Sequence, residues 1–230
     1  FFFFSMKTKI IIILMLSFCI CSYAQHTPKD VMARVKVLNV PFNGSRTPVK
    51  GVLGSSIKVN DGVLSRKVYS NAQLTEWWDM KDHSEMSYYC NLQFDNPAHQ
   101  NNYLLISLND AGDFRTRILA SVDPDGNIND FIDARITSAS KYGTAAIMQY
   151  RITANGDVII SRIVPTSTTS IPLGDLKDFH GYRQDTTYRL DQNGKFQIIN
   201  TVKFVPQLYT AQMISAQDYN VWNGNETPVE

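Results

Sequence analysis

Six residues able to do chemistry crowd into one stretch of this chain: Asp175, Asp178, His180, Tyr182, Arg183 and Asp185. An imidazole titrates near neutral pH, and a neighbouring carboxylate can orient it or exchange a proton with it, so the stretch holds the parts of an acid/base site. With a phenol and a guanidinium added, the same residues form a set of donors and acceptors for a polar ligand. They close the segment 165–185, which opens on the weakly apolar Thr166-Ser167-Thr168-Thr169-Ser170 and joins two apolar runs, and so reads as a long loop. Long loops in compact domains are uncommon and often functional. The ligand-binding residues expected here are Asp175, Asp178, His180 and Tyr182. A plain solvated connection with one helical turn is the alternative.

No standard catalytic signature accompanies them. The chain lacks G-x-S-x-G, H-E-x-x-H, G-x-x-x-x-G-K-[ST], G-x-G-x-x-G and C-x-x-C, the local patterns of nucleophile elbows, zinc helices, phosphate loops, dinucleotide folds and redox pairs. His26, His83, His99 and His180 are scattered, with no partner at metal-ligand spacing. The run from Asp123 to Asp130 has the composition of a calcium loop, but Gly126 stands fourth in it where such a loop needs its glycine sixth. An Asp-rich turn explains the run. The expectation is therefore no catalytic residue, no metal and no cofactor. One enzymatic alternative survives, a hydrolase whose Asp175, Asp178 and His180 assemble in space. Trp77 and Trp78, near Tyr88 and Tyr89, are of the type that stacks on sugars. However, Leu74, Trp77 and Trp78 share one helical stripe, which reads as core. Asn43-Gly44-Ser45 and Asn225-Glu226-Thr227 match glycosylation sequons, which carry weight only in a eukaryotic chain.

The N-terminus reads as an export signal. Phe1 to Ser5 precede Met6 and look like an upstream artefact; Lys7 and Lys9 then form a cationic start, Ile10 to Ile20 an apolar run, and Ser22 and Ala24 a small-x-small exit that would leave Gln25 first. The run is too short to cross a bilayer, which takes about 20 apolar residues. Leu16-Ser17-Phe18-Cys19 resembles a lipobox, with a bulky Phe18 where a small residue is usual, so lipid anchoring through Cys19 is a secondary reading. Without Lys7 and Lys9, the 22 Lys+Arg against 21 Asp+Glu become a net charge of −1. That balance gives no electrostatic attraction to nucleic acid. Only Cys90 remains after cleavage, so no internal disulfide forms; it follows Tyr88-Tyr89 and reads as a small buried hydrophobe.

The elements that would position these residues are strands. Four times the chain repeats an apolar residue, turn formers, Gly, any residue and a second apolar residue: Leu108 to Phe114, Val122 to Ile128, Ile152 to Val158 and Leu190 to Phe196. Asn and Asp cap such turns, Gly takes the positive φ, and the flanking apolar residues return to one sheet face. Ile57 to Val63, with Asp61-Gly62, looks like a further hairpin. Period-two spacing puts Phe196, Ile198, Val202 and Phe204 on one face, Ala146, Met148, Tyr150 and Ile152 on another, and turns Arg115 and Arg117 to water. Tyr103 to Leu108 and Val158 to Val164 are more uniformly apolar, as central strands are. Ser70 to Gln73 fits a capping box for one helix running to about Lys81. The fold class expected is all-β or β-dominated: an antiparallel β-meander of roughly six to nine strands, curled into a half-barrel or sandwich, with one short helix. No linker divides residues 25–230, so they read as one domain with a frayed tail from Asn220.

These features predict an exported, periplasmic or secreted, non-enzymatic binding or interaction module of the bacterial cell envelope, without a transmembrane segment in the mature chain. Its partner would be a polar small molecule, a glycan or an envelope protein. Besides the hydrolase, a second alternative is a structural envelope protein that pairs through a sheet edge.

Overall fold

The computed structural model describes residues 27–44, 57–58, 87–109, 115–134, 138–139, 145–167, 178–210, 213 and 227–229. The export signal, the helix expected from Ser70 with its tryptophans, the turn at 110–114 and Asp175 lie outside the described residues. One short helix is described, α1 (Pro28–Met32). Thr27 caps it by accepting from the Asp30 N–H at 3.3 Å, while the Asp30 carboxylate accepts from the Thr27 N–H at 3.0 Å. Pro28 opens the helix, where a missing N–H costs nothing.

Two six-stranded sheets carry most of the described β structure, and in both the long neighbouring strands are antiparallel. The first runs in the order β1 (Val37–Leu38), β4 (Ser87–Phe94), β5 (Asn102–Asn109), β6 (Arg115–Val122) and β7 (Ile128–Asp133), with β3 (Ile57–Lys58) also on β4. The second runs β13 (Phe196–Lys203), β12 (Phe179–Leu190), β11 (Val158–Pro165), β10 (Met148–Ile152) and β2 (Phe42–Asn43), with β14 (Gln207–Tyr209) on the free end of β12. β8 (Ser138–Ala139) and β9 (Ala145–Ala146) form a separate pair between the sheets in sequence. Consecutive strands are neighbours from β4 to β7 and from β10 to β13, so the meander expected from the turns is present and does not close into a barrel. Among the described residues the one parallel pairing is β1 with β4.

The sheets pack face to face as a sandwich. Leu92, Phe94, Tyr103, Leu105 and Leu119 of the first meet Met148, Tyr150, Ile152, Val158, Ile160 and Leu190 of the second. One side is closed by the chain itself. From β1 to β2 it crosses between the sheets and lays Phe42 against Phe94 and Tyr150, with ring centroids 4.7 and 6.1 Å away. The other face of the first sheet is also buried, with Tyr88, Cys90, Leu104, Ile106, Ile118, Ala120, Val122, Ile128 and Phe131 packed with Val31 of α1. Burial on both faces explains why β5 is apolar without alternation. Arg117 differs from expectation. It shares its face with Leu119, is half-buried, and lies close enough to Tyr150 to act on its phenol electrostatically.

β4 buries alternate residues, yet they do not share a face. Tyr88 and Cys90 pair with Leu108 and Ile106, then the register shifts, and Leu92 and Phe94 pair with Leu105 and Tyr103. The extra residue at position 91 sends Tyr88 and Cys90 to the α1 side and Leu92 and Phe94 between the sheets.

Three of the four glycine turns are described, and they share one geometry. Gly126, Gly156 and Gly194 take φ of 89°, 81° and 72° and donate to the carbonyls of Asp123, Thr153 and Asp191 at 2.9, 3.0 and 2.9 Å. The first residue of each turn caps it from the side chain. Asp123 accepts from the Asn127 N–H at 2.8 Å, Thr153 from Asp157 at 3.1 Å and Asp191 from Lys195 at 3.0 Å. A Cβ on Gly156 would collide with the side chain of Asn96, which is buried and held by Tyr103 and Ala98. Gly156→Ala is therefore expected to destabilise the fold by about 2–4 kcal/mol, from backbone strain and overpacking together. Urea denaturation measures this, and an unchanged midpoint would contradict it.

Candidate functional site

The segment 165–185 is not a loop to its end. Beyond Phe179 it is strand: Phe179, His180 and Gly181 pair with Tyr209, Leu208 and Gln207, and Gly181 to Asp185 pair with Pro165 to Ser161. Polar residues occupy both faces here, so no apolar alternation marks the strand; the ladders on its two sides define it. Asp178 is exposed just before β12, His180 is exposed within it and Tyr182 is half-buried. The His180 carbonyl accepts from Thr166 N–H at 3.0 Å and Thr166 Oγ1 at 3.1 Å. His180 and Tyr182 are thus strung along one face of a strand, at about 7 Å intervals, rather than gathered round a point. Arg183 and Asp185 turn to the opposite face.

On that opposite face Arg183 grips Asp185 with two bonds, Nε to Oδ1 at 2.7 Å and Nη2 to Oδ2 at 2.6 Å. The ring of Phe204 lies 4.6 Å from the Arg183 guanidinium carbon, and Arg151 Nη2 approaches Asp185 Oδ2 at 3.4 Å. The side chains of Arg183 and Asp185 are each 8% exposed, against 43% for Arg151. Gln149 and Ser161 continue the row from Asp185 across β11 and β10; Gln149 Oε1 and Ser161 Oγ are buried and find no hydrogen-bond partner among the described residues. The Arg183–Asp185 pair is internal structure, and losing one partner strands the other charge. Asp185→Ala is expected to cost about 3–5 kcal/mol. Ser161→Ala, which removes an unsatisfied hydroxyl, is expected to be neutral or slightly stabilising. Denaturation of the two variants reads both, and equal losses would contradict this division.

The inward face of the second sheet changes character along its length. It is apolar where the first sheet covers it, and beyond Ile160 polar residues join Met148 and Val164 on it. Arg162, Gln184 and Lys203 form one row across β11, β12 and β13, with Thr186 and Thr201 on one side and Val164 and Tyr182 on the other. Arg162 and Lys203 are exposed, Gln184 and Tyr182 half-buried. Lys203 Nζ stands 5.8 Å from the centre of the Tyr182 ring, and Gln184 Nε2 donates to Thr186 Oγ1 at 3.4 Å. Burial raises the Tyr188 phenol pKa, with Arg162 opposing the shift, which places that guanidinium within electrostatic reach of the core's edge.

The row reaches Lys203 only because β13 switches faces. Phe196 and Ile198 pair with Leu190 and Tyr188; the register then shifts, and Thr201 and Lys203 pair with Thr186 and Gln184. Phe196, Ile198, Val202 and Phe204 therefore do not share a face as expected. The first two look toward the first sheet and the last two lie on the Arg183 side. The sequence expectation named His180 and Tyr182, which lie along this face on β12, and did not name Arg162, Gln184 or Lys203. An arginine inside the apolar run 158–164 was the one signal of them.

Cys90 is not available as a nucleophile. Its thiol is buried, donates to the Leu92 carbonyl at 3.5 Å, and burial pushes its pKa up to about 12. Among the described residues no group of three or more His, Cys, Asp or Glu is placed to hold a metal ion, and no helix is long and apolar enough to cross a membrane. Comparison with protein-family models, curated proteins and solved structures finds no match. The folded thiol keeps its proton after the unfolded one has lost it, so stability should decline as pH rises from about 9 toward about 12. At pH 8 Cys90 is expected to resist a thiol reagent until denaturant is added. Rapid labelling of the native protein would contradict the burial.

Proposed function

We propose that this chain is a non-enzymatic binding module, exported to the bacterial cell envelope, that holds an anionic polar ligand on the uncovered half of its second sheet. The observation that carries the reading is the row Arg162–Gln184–Lys203 with Tyr182 beside it. A guanidinium and an ammonium suit carboxylates. The amide and the two threonines suit hydroxyls, and a half-exposed phenol ring offers an apolar face of the kind sugars pack on. Together these favour an acidic glycan among polar ligands. Export rests on the leader pattern from Met6 to Ala24.

The hydrolase alternative has less behind it. Catalysis needs a general acid or base within hydrogen-bond reach of a common reacting atom. Asp178 and His180 are both exposed, so neither side chain is screened from water in a pocket.

Calorimetric titration with oligogalacturonate and with its methyl ester tests the reading. The acid is expected to bind and the ester to bind weakly, and the Arg162→Ala/Lys203→Ala double variant should lose about tenfold in affinity for the acid, as two exposed charge contacts would provide. Added salt should weaken the binding. Equal affinity for acid and ester, or a double variant that binds as well as the parent, would overturn it.

A further inference from the structure

β13 is the edge of the second sheet, and its outward backbone groups can be followed residue by residue. The turn closes with Asp191 N–H donating to the Lys195 carbonyl at 2.9 Å. Alternation then points Phe196 outward, where its N–H donates to Asp130 Oδ2 of β7 at 2.9 Å. Ile198 comes next, then, past the register shift, Thr201 and Lys203. The Lys203 carbonyl accepts from the Val229 N–H at 2.8 Å and the Val205 N–H donates to the Thr227 carbonyl at 2.7 Å. Phe204 and Pro228 form the antiparallel bridge between these bonds. Both ends of the edge are thus engaged. Between them the N–H and C=O of Ile198 and Thr201 face outward with no described strand beside them. Two large apolar side chains are uncovered there, Ile198 being 62% and Ile199 46% exposed.

The edge is also charged unequally. Exposed Lys203 and Arg162 mark the end that Thr227–Val229 approaches, while Asp130 and Asp191 lie at the turn end, where Asp191 accepts from Gln197 Nε2 at 3.2 Å and has Lys195 close by.

We propose that β13 receives an extended segment of a partner protein as a further antiparallel strand over Gln197 to Val202, with an acidic residue at the segment's N-terminal end and β-branched residues through its middle. Thr227–Val229 shows that this edge accepts an antiparallel strand, and a segment running the same way continues that ladder toward the turn. Run in that direction, its first residue comes beside Val202, one step from Lys203, and its last beside Gln197, near Asp130 and Asp191, so opposite charges lie close at both ends. A second copy of this chain fits less well. Its β13 would carry its own 191–195 turn to the place beside Lys203 and Val205 that Thr227–Val229 already fills. Charges and prolines, two of the usual guards of such an edge, are absent from Gln197 to Val202, where the guard present is the register shift beside Ile198.

The test uses the intact chain and two capped peptides, Glu-Val-Thr-Val-Thr-Lys and its charge-reversed form Lys-Val-Thr-Val-Thr-Glu. Amide exchange followed by NMR should show Ile198 and Thr201 protected by the first peptide. That peptide should bind about fivefold tighter than the reversed one, the scale of exposed charge pairs. Lys203→Glu should invert the preference. Failure of both peptides to protect these amides overturns the proposal. So does protection that rises with protein concentration alone, which would make a second copy the occupant. Equal binding of the two peptides, unchanged by Lys203→Glu, overturns the assigned charge pattern.

Discussion

A β-strand shows alternate side chains to opposite faces, so one extra residue exchanges its two faces for the rest of its length. β4 and β13 each contain one such irregularity, as β7 does at Asn129, and which residues each sheet presents to its faces follows from where those in β4 and β13 fall. In β4 it splits the alternate large residues between the two hydrophobic clusters, so that the first sheet is buried on both sides. In β13 it leaves Phe196 in the sandwich, moves Phe204 onto Arg183, and brings Thr201 and Lys203 onto the inward face. Without the second shift the polar row would end at Gln184, and the strand's outward groups would fall at other positions.

The sheets that carry these strands are locked together at the turn end. Tyr103 is fully buried between them. Its hydroxyl donates to the Gly156 carbonyl at 2.7 Å and accepts from Asn96 Nδ2 at 2.9 Å, while its ring stacks on Phe196 at 5.8 Å between centroids. Asp157, next in the same turn, is held by two bonds of 2.8 Å from Arg189, and Asp130 reaches from β7 to Phe196. Polar contacts of this kind orient the sheets, while the apolar layer between them supplies most of the stability. At the opposite end the second sheet runs on past its cover, and there polar residues enter its inward face.

Much of this was legible in the residues. Asp123, Thr153 and Asp191, each with a glycine three positions on, announce their turns through local hydrogen bonds that need no tertiary context. The consecutive turns then imply a meander. Burial of Met148, Tyr150 and Ile152 follows from their spacing alone. The face switches were not legible, because an extra residue in a strand leaves the period-two pattern of side chains intact on either side of it. The start of β12 at Phe179 was hidden because its polar residues are held by pairing on both sides, which is non-local. Arg162, Gln184 and Lys203 come from three strands and meet only through register. Nothing in the spacing of any one strand marks them as a row.

The face switch in β13 is what both the ligand-binding face and the open edge depend on, and NMR contacts between assigned rings test it directly. With the switch, the Phe196 ring shows contacts to Tyr103 and the Phe204 ring to the Arg183 side chain, on opposite faces of one strand. Contacts from Phe204 to Tyr182 or to Gln184, on the inward face, would mean the strand keeps a single parity, and the polar row and the exposed edge would both have to be redrawn.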